Sequence, residues 1–195
     1  MIAILLNDAS FEQDIRELLM AFYPGETFTH KEEEAGEAEL IVRGVRDGNS
    51  FSLDVAPVKK EAVHFALIYP DFSNRFETKN EIKQTLYRLL SAQTGRELPW
   101  GTLTGIRPTK IALTKLYDGW TDEQIETYMR ETYFTSKEKI DLSIDVAERE
   151  RRLLSTIDYE NGYSLYVGIP FCPTTCLYCS FTSVSYTHLT LPTKA

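Results

Sequence analysis

Three cysteines are the residues of this sequence whose type and spacing point most directly to chemistry. Cys172, Cys176 and Cys179 are the chain's three cysteines, and they lie within eight residues. An odd, clustered set of thiols makes a poor disulfide framework. In a reducing compartment, clustered cysteines more often bind metal or carry out redox reactions. The sequence therefore predicts a metal or redox site near residue 175.

The spacing within Cys172-Pro-Thr-Thr-Cys176-Leu-Tyr-Cys179 favours an iron–sulfur cluster. A [4Fe–4S] cluster usually takes four thiolates. This loop supplies three, which leaves one iron open to a ligand such as S-adenosylmethionine (SAM). Two alternatives stay open: zinc bound with a distant His, although zinc loops favour CxxC pairs, and ordinary buried thiols.

The residues flanking the cysteines resemble sequence motifs of a known protein family. Tyr166-Val-Gly-Ile-Pro-Phe-Cys172 is similar to the Y-x-H-I-P-F-C opening of the oxygen-independent coproporphyrinogen III oxidase family of radical SAM enzymes. Tyr178 fits the aromatic position before the last cysteine of the radical SAM pattern. The stretch Leu98-Pro-Trp-Gly-Thr-Leu-Thr-Gly-Ile-Arg-Pro-Thr-Lys110 resembles a signature of the HemZ-type coproporphyrinogen dehydrogenases, which carry an N-terminal extension of about this size.

This resemblance implies cofactors and a reaction. Cys172, Cys176 and Cys179 would hold a [4Fe–4S] cluster that cleaves SAM to a 5′-deoxyadenosyl radical. The radical would take a hydrogen from a propionate side chain of coproporphyrinogen III, and loss of carbon dioxide and one electron would leave a vinyl group, on the way to protoporphyrinogen IX in haem biosynthesis. Tyr166 and Tyr178 would touch SAM, with core packing as the alternative for both. A porphyrinogen substrate is implied, whereas catalytic residues and the electron donor are not indicated.

Two departures from the family pattern keep a second function open. Gly168 stands where the decarboxylating enzymes often have His, and Ser180-Phe181 replaces a further cysteine. The haem-chaperone relatives also lack that cysteine. A non-catalytic role in haem trafficking is therefore the alternative to decarboxylation.

The elements that must position the motif predict an α+β chain in four parts. Residues 1–95 form an N-terminal α+β domain, with a buried strand over 2–6 and a hairpin at Asp47-Gly48. Residues 96–160 are helical. Residues 161–183 begin a radical SAM (β/α) barrel, with a strand from Tyr163 to Ile169 before the cysteine motif. Residues 62–69 are predicted as either a strand or the start of a helix.

Helix starts are predicted from capping boxes, in which a Ser or Thr precedes Glu or Gln by three residues. The three pairs are Ser10 with Gln13, Thr121 with Gln124, and Thr135 with Glu138. Pro108 suits a first helical position, and Gly95 and Gly119 suit helix C-termini. Pro108, Arg107 and Lys110 together suggest either an anion site at a helix start or an ion pair in which Arg107 and a neighbouring carboxylate lock the two domains together.

The last twelve residues, 184–195, do not resemble the sequence that comes after the motif in members of the family. They read like a translated sequencing-library adapter, so we predict a non-native tail in which His188 is not a ligand. On this interpretation the chain is a fragment truncated just after the cluster motif, without a substrate cavity and without decarboxylase activity.

The composition limits which binding partners and which cellular location the sequence predicts. The formal net charge is −8, which argues against a general nucleic-acid binder. Without a long apolar run or a basic leader, the sequence predicts neither a membrane span nor a signal peptide, and a cytoplasmic location is the default.

Overall fold

The computed structural model describes residues 1–58, 63–158, 161–163, 165–167, 171–172, 177 and 184–185. The chain divides into two units, Met1–Leu153 and Leu154–Ala195. Within the first unit, a five-stranded sheet precedes a helical section. This confirms a mixed α+β architecture, whereas the radical SAM barrel stays a prediction.

The sheet contains parallel and antiparallel pairs in the order β2-β1-β3-β4-β5. Its strands are β1 (Ile2–Leu6), β2 (Phe28–Thr29), β3 (Leu40–Asp47), β4 (Ser50–Pro57) and β5 (His64–Ile68). Strand β1 lies parallel to both β2 and β3, and β3, β4 and β5 are antiparallel in succession. Gly48 takes a φ of 55° in the turn between β3 and β4, which confirms the predicted hairpin.

Two helices cover one face of the sheet. They are α1 (Glu12–Phe22) and α2 (Arg75–Thr94), and Gly95 ends α2 at a φ of 65° as predicted. Their apolar faces and alternate strand residues form the largest core, whose fully buried members include Phe22, Phe51, Ile15, Leu18, Leu53, Ile82, Leu86 and Leu90. On the other face, a 3₁₀ helix over Glu32–Glu37 packs Ala35 against Ala3 of β1.

The start of α1 corrects one prediction. The carboxylate of Asp8 accepts a hydrogen bond from the Ser10 amide at 2.9 Å and opens a 3₁₀ helix, Ala9–Phe11, that runs into α1. The predicted capping box of Ser10 and Gln13 is wrong, because the side chain of Gln13 instead donates to Glu17 on the next turn. Asp8, two residues before Ser10, competes better than Ser10 for the free backbone amides at the start of the helix.

The helical section contains α3 (Lys110–Tyr117), α4 (Asp122–Tyr133) and α5 (Lys137–Leu154). Gly119, at a φ of 80°, follows α3 as predicted. A second core joins these helices through Ala112, Leu113, Leu116, Ile125, Met129, Ile140, Ile144 and Ala147.

The two predicted caps of this section have different outcomes. The capping box of Thr121 and Gln124 is present in both directions. The box predicted for Thr135 and Glu138 is wrong. Ser136 lies directly before α5 and accepts from the Lys139 amide at 3.4 Å, whereas the Thr135 hydroxyl is buried without a hydrogen-bond partner among the described residues.

In the second unit, β6 (Phe171–Cys172) pairs in parallel with β7 (Val184–Ser185). The predicted strand from Tyr163 to Ile169 is not assigned at residues 163 and 165–167, where the side chains are exposed. A parallel strand needs a neighbour to pair with. Residues 164, 168 and 169 lie outside the described residues. No helix in the described part of the chain is long and apolar enough to cross a bilayer.

Candidate functional site

The cysteine loop, residues 172–179, is the site that the sequence predicts. Its first predicted ligand, Cys172, ends β6 and lies opposite Ser185 in the strand pair. Cys176, Cys179 and Tyr178 lie outside the described residues. Between Cys176 and Tyr178, Leu177 is described, and its side chain is exposed.

The donor set fits an iron–sulfur cluster by its chemistry. Three thiolates in one loop match three irons of a [4Fe–4S] cube, with one iron left for another ligand. Within the described residues, no group of three or more His, Cys, Asp or Glu side chains is arranged to hold a metal ion. The three ligand assignments stay predictions.

Tyr166, the first predicted SAM contact, is 86% exposed. Its neighbours Leu165 and Val167 are exposed as well. The alternative role of core packing is therefore not seen for Tyr166 in this structure. Its contact with SAM stays a prediction.

Residues 98–110, here called the signature segment, are held on both sides by the first unit. The amide of Leu98 donates to the Tyr87 hydroxyl of α2 at 3.0 Å. On the other side, Thr102 donates to the carbonyl of Tyr133 at 2.8 Å, and Ser136 donates to the carbonyl of Pro99 at 2.9 Å. These bonds place the segment between α2 and the turn that joins α4 to α5.

Gly101 explains why part of the signature segment requires glycine. It has a φ of 57°, a conformation that side chains disfavour. A Cβ at this position would overlap the backbone of Tyr133 and Phe134. Phe134 is itself left-handed, at a φ of 56°, so two tight backbone turns meet here.

The helix start near Arg107 favours the ion-pair alternative over the anion site. The Arg107 guanidinium forms an ion pair with Glu150 of α5. The amides of Lys110 and Ile111, which an anion would need, donate instead to the carbonyls of Arg107 and Pro108 at 3.2 Å. Pro108 lies in the turn before α3 rather than at its first position. Arg107 therefore ties the segment to α5, and because both residues lie in the predicted part 96–160 and in the unit Met1–Leu153, the pair does not lock two domains together.

A buried lysine, which sequence reasoning missed, also holds the segment. Lys83 of α2 is 7% exposed, and its ammonium donates to the Thr104 hydroxyl at 2.8 Å. That hydroxyl donates in turn to the Glu17 carboxylate of α1 at 2.8 Å. The sequence did contain an indication of this burial, because Lys83 lies three residues before Leu86 and therefore on the apolar face of α2.

Burial and the neighbouring charges shift the pKa values of Lys83 and Glu17 in opposite directions. Burial lowers the pKa of the Lys83 ammonium, against the opposing pull of the Asp14 and Glu17 carboxylates. Burial would raise the pKa of Glu17, but hydrogen bonds from Gln13 and Thr104 and the Lys83 charge hold it below its usual value. The charged pair is therefore the form expected near neutral pH.

A surface cavity of about 290 Å³ lies where the parallel strands end. Ligands often bind at this edge of an open sheet. Its lining is Leu5, Leu6, Asn7, His30, Glu32, Arg43 and Val45. However, Arg43 is paired with Glu32 at 2.6 Å, and the Asn7 amide is occupied by the backbone of Arg46. These polar groups stabilise the fold and leave little to recognise a ligand.

Comparison with known proteins supports the resemblance read from the motif. The chain is 37% identical over 122 residues to the oxygen-independent coproporphyrinogen-III oxidase-like protein HemZ of Bacillus subtilis. The match covers 60% of this chain and 24% of that protein, so the chain spans about a quarter of the relative's length. No family model and no solved structure matches the chain. The predicted resemblance to the HemZ-type proteins is confirmed.

Proposed function

We propose that the protein carrying this sequence is a radical SAM oxidoreductase of the HemZ type, which decarboxylates coproporphyrinogen III oxidatively to protoporphyrinogen IX in the cytoplasm. The main support is the CxxxCxxC motif preceded by Tyr166-Val-Gly-Ile-Pro-Phe in a chain homologous to HemZ. Since the chain spans about a quarter of that relative, the activity is proposed for the whole protein. We expect the 195-residue chain alone not to turn over substrate.

The residues of this chain would bind and orient the cofactors. Cys172, Cys176 and Cys179 would hold three irons as thiolates and leave the fourth open to SAM. Tyr166 and Tyr178 would contact SAM beside that iron. When bound, a cluster of this kind supplies one-electron reduction and, with SAM, radical chemistry. The signature segment would contribute indirectly, by holding α2, α3 and α5 together.

Cluster binding is tested on the 195-residue chain by a readout that needs no turnover. After anaerobic reconstitution, we expect about four irons and four sulfides per chain and, after one-electron reduction with dithionite, an electron paramagnetic resonance signal that changes when SAM is added. The SAM-dependent change tests for the open iron. Stoichiometric zinc without sulfide would reject the cluster.

Activity is tested on the longer protein, with coproporphyrinogen III, SAM and a reductant under strict anaerobiosis. Formation of protoporphyrinogen IX would support decarboxylation. Tight haem binding without turnover, in protein that carries an intact cluster, would favour haem trafficking instead. The absence of His at Gly168 and of Cys at Ser180-Phe181 is the sequence observation that keeps this second outcome in view.

A further inference from the structure

A shallow surface cavity on α4, here called the α4 pocket, combines aromatic rings with carboxylates. Its volume is about 450 Å³. Trp120 and Glu123 line it together with four residues that recur at helical spacing on one face of α4. These four are Gln124, Thr127, Tyr128 and Glu131. Trp120 and Tyr128 are half-buried and the other four side chains are exposed, so this face of the helix is open to solvent.

The aromatic pair of the α4 pocket already holds one cation of the chain. The rings of Trp120 and Tyr128 meet edge to face, with their centroids 5.6 Å apart. The Lys115 ammonium lies 4.3 Å from the centroid of Trp120 and 5.1 Å from that of Tyr128. Lys115 does not line the pocket. The pocket therefore opens on a part of the aromatic pair that Lys115 leaves free, and aromatic faces attract cations.

The carboxylates of the α4 pocket have no cationic partner in the described part of the chain. Glu126 on the same helix is paired with Arg130, whereas Glu123 and Glu131 form no ion pair there. Hydrogen bonds from its own backbone amide and from Thr121 lower the pKa of the Glu123 carboxyl, so this group is charged near neutral pH. Glu131 lies in the last turn of α4, where the helix dipole disfavours a negative charge. Its carboxylate therefore does not stabilise the helix.

We propose that the α4 pocket binds a basic segment of a partner protein, in which an arginine stacks on the aromatic pair and two flanking cations pair with Glu123 and Glu131. Charge complementarity selects this occupant, because the lining contains two carboxylates and no Lys, Arg or His. The net charge of −8 attracts a basic partner and disfavours a second copy of the chain. Arginine fits best, because its planar guanidinium both stacks on rings and pairs with carboxylates. This interaction goes beyond the proposed enzymatic function and does not depend on it.

The spacing of the two carboxylates defines the partner segment. Glu131 follows Glu123 by eight residues, a rise of about 12 Å along the helix. In an extended peptide, four residues span about 13 Å, and alternate side chains point to the same side. Arginines at alternate positions, as in Arg-Ser-Arg-Ser-Arg, therefore reach Glu123, the aromatic pair and Glu131 in turn.

Fluorescence anisotropy with a labelled Arg-Ser-Arg-Ser-Arg peptide, flanked by Gly-Ser, tests the proposal on the 195-residue chain. We expect saturable binding with a dissociation constant below about 100 µM at low salt, weakening as salt is added. Two control peptides have the same charge. Arg-Arg-Arg-Ser-Ser has the wrong spacing, and Lys-Ser-Lys-Ser-Lys lacks the planar guanidinium. Each control should bind at least about threefold more weakly.

Glu131→Gln tests the pocket on the side of the chain. It should weaken binding of the alternating arginine peptide about three- to fivefold, the effect of losing one exposed ion pair. Its unfolding midpoint should be equal to or above that of the wild type, because a carboxylate leaves the negative end of the helix. The matched control is Glu37→Gln, which removes the same charge from the exposed 3₁₀ helix on the other face of the sheet. Its affinity should stay within a factor of about two of the wild type.

Thr127→Arg is a second variant, which fills the pocket with a cation of the chain itself. Thr127 is exposed, and arginine is a better helix former than threonine, so the fold should be retained. Peptide binding should be abolished, and circular dichroism checks the fold. Binding that persists in a folded Thr127→Arg variant would show that the peptide lies elsewhere and would overturn the proposal.

Three further outcomes would also overturn the proposal. Equal affinity for the three peptides, or equal effects of Glu131→Gln and Glu37→Gln, would indicate non-specific attraction to an acidic chain. The absence of saturable binding up to about 1 mM peptide would reject a basic partner. Self-association of the chain that Thr127→Arg abolishes, without peptide binding, would assign the pocket to a second copy instead.

Discussion

The signature segment and the cysteine loop carry the two motifs from which the resemblance was predicted, yet the structure supports them in different ways. Residues 98–110 are tied to helices on both sides by hydrogen bonds, a buried lysine and an ion pair. Before the cysteine loop, the described side chains of Tyr163, Tyr166 and Val167 are exposed. The first motif therefore stabilises the unit Met1–Leu153, whereas the second carries the proposed chemistry in the other unit.

The largest effect that would test this comparison is loss of the cluster without loss of the fold. Replacing Cys172, Cys176 and Cys179 together with Ala should abolish iron and sulfide binding after reconstitution. The unfolding midpoint of the apo chain should stay unchanged, because the described cores of Met1–Leu153 are built from residues of that unit. Iron analysis and circular dichroism measure the two effects. A large fall in the midpoint would show that the two regions are not independent.

Gly101→Ala should produce the next largest effect, now on stability. The substitution forces a Cβ into the backbone of Tyr133 and Phe134 at a positive φ, so we expect it to lower the free energy of unfolding by about 3 kcal/mol or more. Gly105→Ala is the matched control from the same segment, since a Cβ there meets open space. Urea unfolding measures both. Equal stability of the two variants would refute a structural role for Gly101.

Much of the first unit follows from local sequence rules. The turn at Asp47-Gly48, the apolar face of α1 and the capping box at Thr121 were all predictable, because each depends on residues close together in the chain. Of the stretch 62–69, predicted as strand or helix start, residues 64–68 form a strand because they pair with β4, a contact between distant residues. Propensity gives no information about such a partner.

The misplaced helix starts have a related cause. Asp8 and Ser136 cap in place of Ser10 and Thr135, so each helical stretch began within two residues of the expected position. Several hydroxyls and carboxylates compete for the same free amides, and packing selects among them. The contact of Lys83 with Thr104 was beyond prediction for another reason: it joins residues that only the fold brings together. For the cysteine loop, the cluster site was predicted from the spacing of the three cysteines.

Lys83 should give a smaller, pH-dependent effect. Its pKa is lowered by burial in the folded state, whereas the unfolded chain keeps an ordinary lysine near 10.5. Between these two pKa values the unfolded state binds more protons, so the free energy of unfolding should rise with pH, by at most about 1.4 kcal/mol per pH unit.

The measurement is urea unfolding from pH 7 to about 9, where tyrosines with a pKa of about 10 are still mostly protonated. Lys83→Met should remove the rise, and Lys79→Met, one turn earlier on α2, should retain it. Parallel curves for the wild type and Lys83→Met would show that the ammonium is not desolvated.

Arg107→Ala should give the smallest effect and test how the signature segment is held. The Arg107 side chain is 53% exposed and that of Glu150 is 28% exposed, so solvent screens much of their attraction. Exposed ion pairs contribute about 0–1 kcal/mol, and we expect a loss in this range that shrinks as salt is added. A double-mutant cycle with Glu150→Gln isolates the pair, because the second substitution should add little once the first has been made. A favourable coupling energy would support the lock between the segment and α5. Additive losses, together with weaker substrate binding by the longer protein, would instead restore the anion-site interpretation that the occupied amides of Lys110 and Ile111 argue against.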